Sequence, residues 1–169
     1  LQIRLPEEYS TAIQEWSRKH IPDEILWNDS SGTYGRDTRS HITISLGLRD
    51  DQLEAYTKIV TPHFGAELAT KNVTVFETDK FDVILIAVQE DDVLTQLYEQ
   101  ISKLANAKYV RRTFTPHVSI AFVNKGKGKN LVKRLSWAER QPVENTEFTL
   151  SEFELVTRQG AFVPIKMEE

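Results

Sequence analysis

The alternation of apolar and polar positions divides the chain into short strand-like and helix-like stretches. Residues 40–48, Ser-His-Ile-Thr-Ile-Ser-Leu-Gly-Leu, have the period of two that a β-strand imposes on its side chains. His41, Thr43 and Ser45 then project from one face, and Ile42, Ile44 and Leu46 from the other. Residues 116–123, Pro-His-Val-Ser-Ile-Ala-Phe-Val, repeat the pattern, with His117 and Ser119 on one face and Val118, Ile120 and Phe122 on the other. Each copy is expected to bury its apolar face and offer an imidazole and a hydroxyl as one wall of a polar cleft.

Around these strands the period changes to that of helices. Pro6 and Glu7-Glu8 open a run in which Tyr9, Ala12, Ile13 and Trp16 share a face, ending near His20. Residues 49–64 place Leu53, Tyr56, Ile59, Val60 and Phe64 at helical spacing, with Pro62 disturbing the last turn. Residues 91–106 carry the clearest stripe, Leu94, Leu97, Tyr98, Ile101 and Leu104, and a short helix is expected over 130–140. Residues 67–77 and 81–89 read as strands joined by the turn at 78–80. The second is almost continuously apolar and therefore central. A weak strand at 1–5 and a closing hairpin, 147–156 with 161–166, complete the reading.

Two segments lack periodicity. Residues 22–39 are rich in Asp, Asn, Ser, Gly and Thr, the composition of a loop, yet hold Trp27, Tyr34, Arg36 and Arg39. Trp27 reads as an anchor to the core, whereas Tyr34 suits either anchoring or stacking. Residues 124–129, Asn-Lys-Gly-Lys-Gly-Lys, read as a flexible basic loop beside the second motif, most simply a solvated turn. The spacing is not that of a P-loop.

Composition narrows the class. A chain of 169 residues, 40% hydrophobic and 27% charged, suits one globular domain spanning 1–169. No apolar run reaches the roughly 18 residues of a membrane span, and the first residues carry no basic-then-apolar leader, so a cytoplasmic protein without membrane contact is expected. The absence of cysteine excludes disulfides and thiolate chemistry. A net charge of -4 argues against a protein that tracks long duplex nucleic acid, while leaving room for a small anionic ligand in a local basic pocket.

Four histidines are present. His20 and His63 fall at helix ends and read as surface or capping residues. His41 and His117 remain, each with a hydroxyl two residues on. An imidazole titrates near pH 6.5 when unperturbed, at roughly that value in model peptides, so one of a pair can be neutral while the other is protonated. Such a pair can remove a proton from an attacking oxygen and deliver one to a leaving oxygen. Thr43 and Ser119 can donate to oxygens on which charge develops. No cofactor or metal is called for: two histidines without carboxylate ligands make a poor zinc site.

His41-Ile42-Thr43 and His117-Val118-Ser119 resemble the paired signature of the 2H phosphoesterase superfamily, which includes 2′-5′ RNA ligase-like proteins and cyclic phosphodiesterases. The resemblance covers most of the chain. It departs at Ser40, where proline is common, and at Ser119, where threonine is. It implies an α+β, bilobal fold of two mostly antiparallel sheets with outer helices and a central cleft, and the order of elements agrees. It further implies metal-independent phosphodiester cleavage by His41, Thr43, His117 and Ser119. Loop features, Ile21-Pro22-Asp23, Gly32 to Arg36, and Gly47, are similar to the phage anti-CBASS cyclic-oligonucleotide phosphodiesterases and their bacterial relatives. On that branch the substrate is expected to be a cyclic di- or trinucleotide. From their own places in the two loops, Tyr34 is a candidate to stack on a base and Arg36 or Lys125 to meet a phosphate. The alternatives are a 2′,3′-cyclic phosphodiesterase, a 2′-5′ oligonucleotide enzyme, or a non-catalytic module that sequesters a nucleotide.

Overall fold

In the computed structural model, which describes residues 1–110 and 113–166, eight strands form one sheet. They are β1 (Gln2–Arg4), β2 (His41–Thr43), β3 (Glu67–Glu77), β4 (Phe81–Val88), β5 (His117–Asn124), β6 (Glu147–Thr149), β7 (Phe153–Val156) and β8 (Phe162–Ile165). Their order is β6-β3-β4-β5-β2-β1-β7-β8, and every pairing is antiparallel. The expected α+β antiparallel architecture is therefore present, with one change. The two half-sheets are joined edge to edge, because β2 and β5 pair directly through Ile42 and Val118. Arg111 and Arg112, just before the second motif, lie outside the described residues.

The helices are α1 (Glu7–His20), α2 (Leu53–Val60), α3 (Asp92–Ser102), α4 (Lys127–Arg134) and α5 (Trp137–Arg140). Helix α1 begins with two glutamates and ends with Arg18, Lys19 and His20, charges that complement its dipole. It buries Tyr9, Ile13 and Trp16. Helix α2 stops at Val60 rather than 64, because Pro62 has no N–H to continue it and the chain tightens into a 3-10 turn. In α3 the Asp91 carboxylate caps the first turn by accepting from the Val93 N–H at 2.7 Å. These helices join the inner face of the sheet in one core that includes Ile42, Val118, Ile84, Ile86, Tyr56, Leu97 and Ile101.

Three expectations are corrected. Strand β2 ends at Thr43, since the Ile44 and Ser45 N–H groups both turn to the Leu1 carbonyl, at 2.9 and 3.2 Å. Leu46 is consequently 51% exposed instead of buried. The basic stretch after β5 is not a flexible loop: α4 starts at Lys127, where the Gly128 N–H donates to the buried Asp82 carboxylate at 3.1 Å. That acidic group, reaching in from β4, satisfies the positive end of a helix otherwise rich in lysine. Finally, the expected strand 147–156 is split. Residues of β6 pair with β3 on one edge, and only β7 forms the hairpin with β8.

Candidate active site

The register at the junction assembles the two motifs. Paired residue numbers in an antiparallel ladder have a constant sum, so the Ile42–Val118 pair sets His41 across from Ser119 and Thr43 across from His117. Residues directly opposite share a face, with Cβ atoms about 5 Å apart. Ile42 and Val118 point the other way and are fully buried. Two imidazoles and two hydroxyls thus occupy alternate corners of a square. The motifs do not face each other as opposite walls: they lie side by side as the floor of one cleft.

Both histidines are held by the same local device. His41 Nδ1 lies 2.6 Å from the Arg39 carbonyl oxygen, and His117 Nδ1 lies 2.8 Å from that of Thr115. A carbonyl only accepts, so each Nδ1 carries the hydrogen and Nε2 is the nitrogen left for proton transfer. In each case the carbonyl belongs to the residue two positions earlier.

The cleft has a volume of about 840 Å³, and His41, Thr43, His117 and Ser119 all line it. Phe76, Phe81 and Phe122 flank the square on one side; Phe122, expected on the apolar face with Val118 and Ile120, lines the cleft instead, because a bulge opposite Ile84 and Leu85 skips Ile120 and reverses the alternation. Leu46, Tyr109 and Phe114 flank it on the other, with Tyr98 stacked on Phe114 at 4.6 Å between ring centres. Phe76 is 60% exposed and Tyr109 45%, so they are cleft walls and not core. Gly47 is required here: it has φ +70°, and a Cβ would collide with the Tyr109 ring.

The proposed binding residues have other partners. Tyr34 packs among Trp27, Phe81 and Phe122, with ring centres 4.5 to 5.3 Å away, and does not line the cleft. It therefore pins the loop to the sheet. Arg36 is likewise an anchor: its guanidinium donates to Ser17 O and Oγ, Ile21 O and the Asp23 carboxylate, at 2.5 to 3.0 Å. Those bonds turn it toward the end of α1. Lys125 Nζ donates to the Thr78 carbonyl at 2.8 Å, beside the cleft but not lining it.

The sequence reading missed the charged surroundings of His41. The loop 22–39 runs along β5 beyond the first residue of β2, with the Trp27 N–H donating to Phe122 O at 2.9 Å and the Asp37 N–H to Ile120 O at 2.8 Å. This brings the Asp37 carboxylate into the cleft, its Oδ2 3.8 Å from His41 Nδ1. Burial raises the Asp37 carboxyl above its ordinary value, against the opposing pull of His41, the Arg39 N–H, Arg4 and Arg39. Behind this group, buried Glu154 on β7 accepts from Arg39 at 2.6 Å and from Gln2 at 2.9 Å, and pairs with Arg4 at 3.7 Å. The alternation Gln2-Ile3-Arg4 was the available signal, because it puts Gln2 and Arg4 on the face of Thr43 and His41. Nothing local pointed to Asp37 or Glu154.

Comparison with known proteins follows the same outline. The family model for the 2′-5′ RNA ligase superfamily matches residues 5–161. No curated protein matches the chain at a significant level. Among solved structures, E. coli LigT complexed with 3′-AMP is 16% identical with a TM-score of 0.59, the match covering 99% of this chain and 92% of LigT. Kluyveromyces marxianus Usb1 is 12% identical with a TM-score of 0.56, over 99% of this chain and 95% of Usb1. At these identities the likeness is one of fold.

Proposed function

Because the chain belongs to the 2′-5′ RNA ligase superfamily and is a phosphodiesterase of the 2H type, we propose that it cleaves cyclic di- or trinucleotides with His41 and His117 as the proton-transfer pair. The observation that carries this reading is the square formed by His41, Ser119, Thr43 and His117 on the floor of one cleft. One imidazole removes the proton of the attacking 2′-hydroxyl or water as the new O–P bond forms. The other protonates the oxygen that leaves as the old P–O bond breaks. Thr43 and Ser119 donate to the non-bridging oxygens, where negative charge grows.

Size and lining support a substrate larger than a mononucleotide. A cleft of about 840 Å³ lies in the upper part of the range of small-ligand pockets, and aromatic side chains flank the square on both sides. A phosphodiester over the histidines can then place a base toward Phe76 and Phe122 and another toward Phe114 and Tyr109. The anti-CBASS likeness rests on the loop features and Gly47.

The second reading is a 2′,3′-cyclic phosphodiesterase or 2′-5′ oligonucleotide enzyme, favoured by the bound 3′-AMP of the LigT structure. The experiment is cleavage, in EDTA, of 3′,3′-cyclic dinucleotides, a cyclic trinucleotide, 2′,3′-cyclic mononucleotides and 2′-5′ oligoadenylate. Cyclic oligonucleotides are expected to be opened by the wild type and spared by His41→Ala and His117→Ala. Turnover of only the last two substrates selects the second reading, and binding without any cleavage selects a sequestering module.

A further inference from the structure

Basic charge is gathered on one surface outside the cleft. Residues 125–138 hold five basic residues, Lys125, Lys127, Lys129, Lys133 and Arg134, and no acidic one, in a chain whose net charge is -4. All five are exposed, while Gly128 is buried and Leu131, Val132 and Leu135 pack against the core. Helix α4 therefore gives its apolar face to the sheet and its cations to solvent. Among the described residues Lys129 is the one α4 cation in an ion pair, 3.6 Å from Glu77.

Three residues past Arg134 stands Trp137. The other two tryptophans, Trp16 and Trp27, pack on His20, Tyr34 and Phe81. Trp137 is 70% exposed and, among the described residues, stacks on no other ring. Its backbone is nonetheless fixed: the Ser136 N–H donates to the Glu139 carboxylate at 2.7 Å, the Glu139 N–H to Ser136 Oγ at 3.2 Å, and Trp16 Nε1 to the Glu139 carbonyl at 2.7 Å. The one nearby acid is thereby turned back onto Ser136. At the other end, Lys125 Nζ donates to the carbonyl of Thr78, a cleft residue. The cations thus begin at the cleft rim and lead along α4 to an exposed ring.

We propose that this surface binds single-stranded nucleic acid, with phosphates against the α4 cations and a base stacked on Trp137. The inference goes beyond the reading of the cleft and holds whichever ester the histidines cleave. Local cations supply the attraction for phosphates, and an exposed indole is a stacking platform open to any base. Lys129 and Lys133 lie one turn apart on the same helix face, so one strand can meet both. An anionic membrane is the poorer occupant, because Leu131, Val132 and Leu135, the residues an interfacial helix buries in lipid, are already packed in the protein.

The test is fluorescence anisotropy, in EDTA and low salt, of a fluorescein-labelled 2′-O-methyl oligouridine about ten nucleotides long. This probe has no free 2′-hydroxyl to attack its own phosphates. The wild type is expected to bind it, more weakly as salt rises. The triple variant Lys129→Gln, Lys133→Gln and Arg134→Gln keeps good helix formers and removes three charges. It is expected to weaken binding more than about tenfold and to lower the slope of log affinity against log salt by about 2, at roughly 0.7 per phosphate contact. Lys133→Arg with Arg134→Lys retains the charge and is expected to retain the binding. Trp137→Ala is expected to cost about tenfold with the slope unchanged.

Wild-type affinity or an unchanged slope in the triple variant would overturn the proposal, as would unaltered binding in Trp137→Ala. So would a wild type that sediments with phosphatidylserine vesicles and leaves the oligouridine free. The two readings fail separately. Loss of oligouridine binding in an enzyme that opens cyclic dinucleotides fails the α4 surface alone, and a protein that cleaves no ester but holds the probe through α4 fails only in the cleft.

Discussion

Strands β2 and β5 carry the same His-x-hydroxyl pattern but are held in place by different means. β5 is an eight-residue strand in the middle of the sheet, paired with β4 along most of its length. A central ladder fixes His117 and Ser119 by register alone, since a slip of one residue would put Val118 in the cleft. β2 has three residues and one registered pair to β5. Its other support is the short β1 and a network of side chains, Arg4, Arg39, Asp37 and Glu154, drawn from three separate stretches. One half of the site is therefore placed by backbone hydrogen bonds, and the other by buried charge.

Substitutions can probe that contrast in order of effect. His41→Ala and His117→Ala are each expected to lower turnover by about a hundredfold or more with the melting temperature nearly unchanged. Near-normal turnover in either variant would remove that residue from the mechanism. Thr43→Val and Ser119→Ala are expected to cost about ten- to a hundredfold in kcat with little change in KM, as loss of a transition-state donor does. Unequal effects would show which half of the square faces the developing charge.

Glu154→Gln tests the support of β2. Its buried carboxylate compensates two arginines, one of them half-exposed, so the variant is expected to lose about 1–2 kcal/mol in a denaturant titration. Turnover should fall with it, as β2 loosens against β1. An unchanged denaturation midpoint would mean that the backbone pairs suffice.

The smallest effect concerns stability at Asp37. Burial holds its carboxyl above the ordinary value, so the unfolded chain ionises first as pH rises. The native state then loses stability between the unfolded value and the raised folded one, and the loss persists above both. Asp37→Asn escapes it. Its melting temperature should exceed that of the wild type by about 1–2 °C at neutral pH, with the gap closing in acid below the carboxylate range. A variant less stable at neutral pH would show that the interactions of the carboxylate with His41 and the arginines outweigh its burial.

Periodicity determined much of this protein by itself. It gave the helical stripes of α1 and α3, the central position of β4, and the faces on which His41, Thr43, His117 and Ser119 project, because side-chain direction along a helix or strand is a local property. It did not reach the ends of elements decided by competition for backbone groups, such as the turn of Ile44 and Ser45 to the Leu1 carbonyl or the start of α4 on Asp82. Nor did it say that β2 and β5 are neighbours, which only the pairing of Ile42 with Val118 settles. Tyr34 and Arg36 have the composition of binding residues, and the fold spent them on anchoring the loop. Asp37, Arg4 and Glu154 have no motif between them. They meet His41 because the loop follows β5 and because β1 lies between β2 and β7, so the charge around the imidazole is a product of tertiary structure.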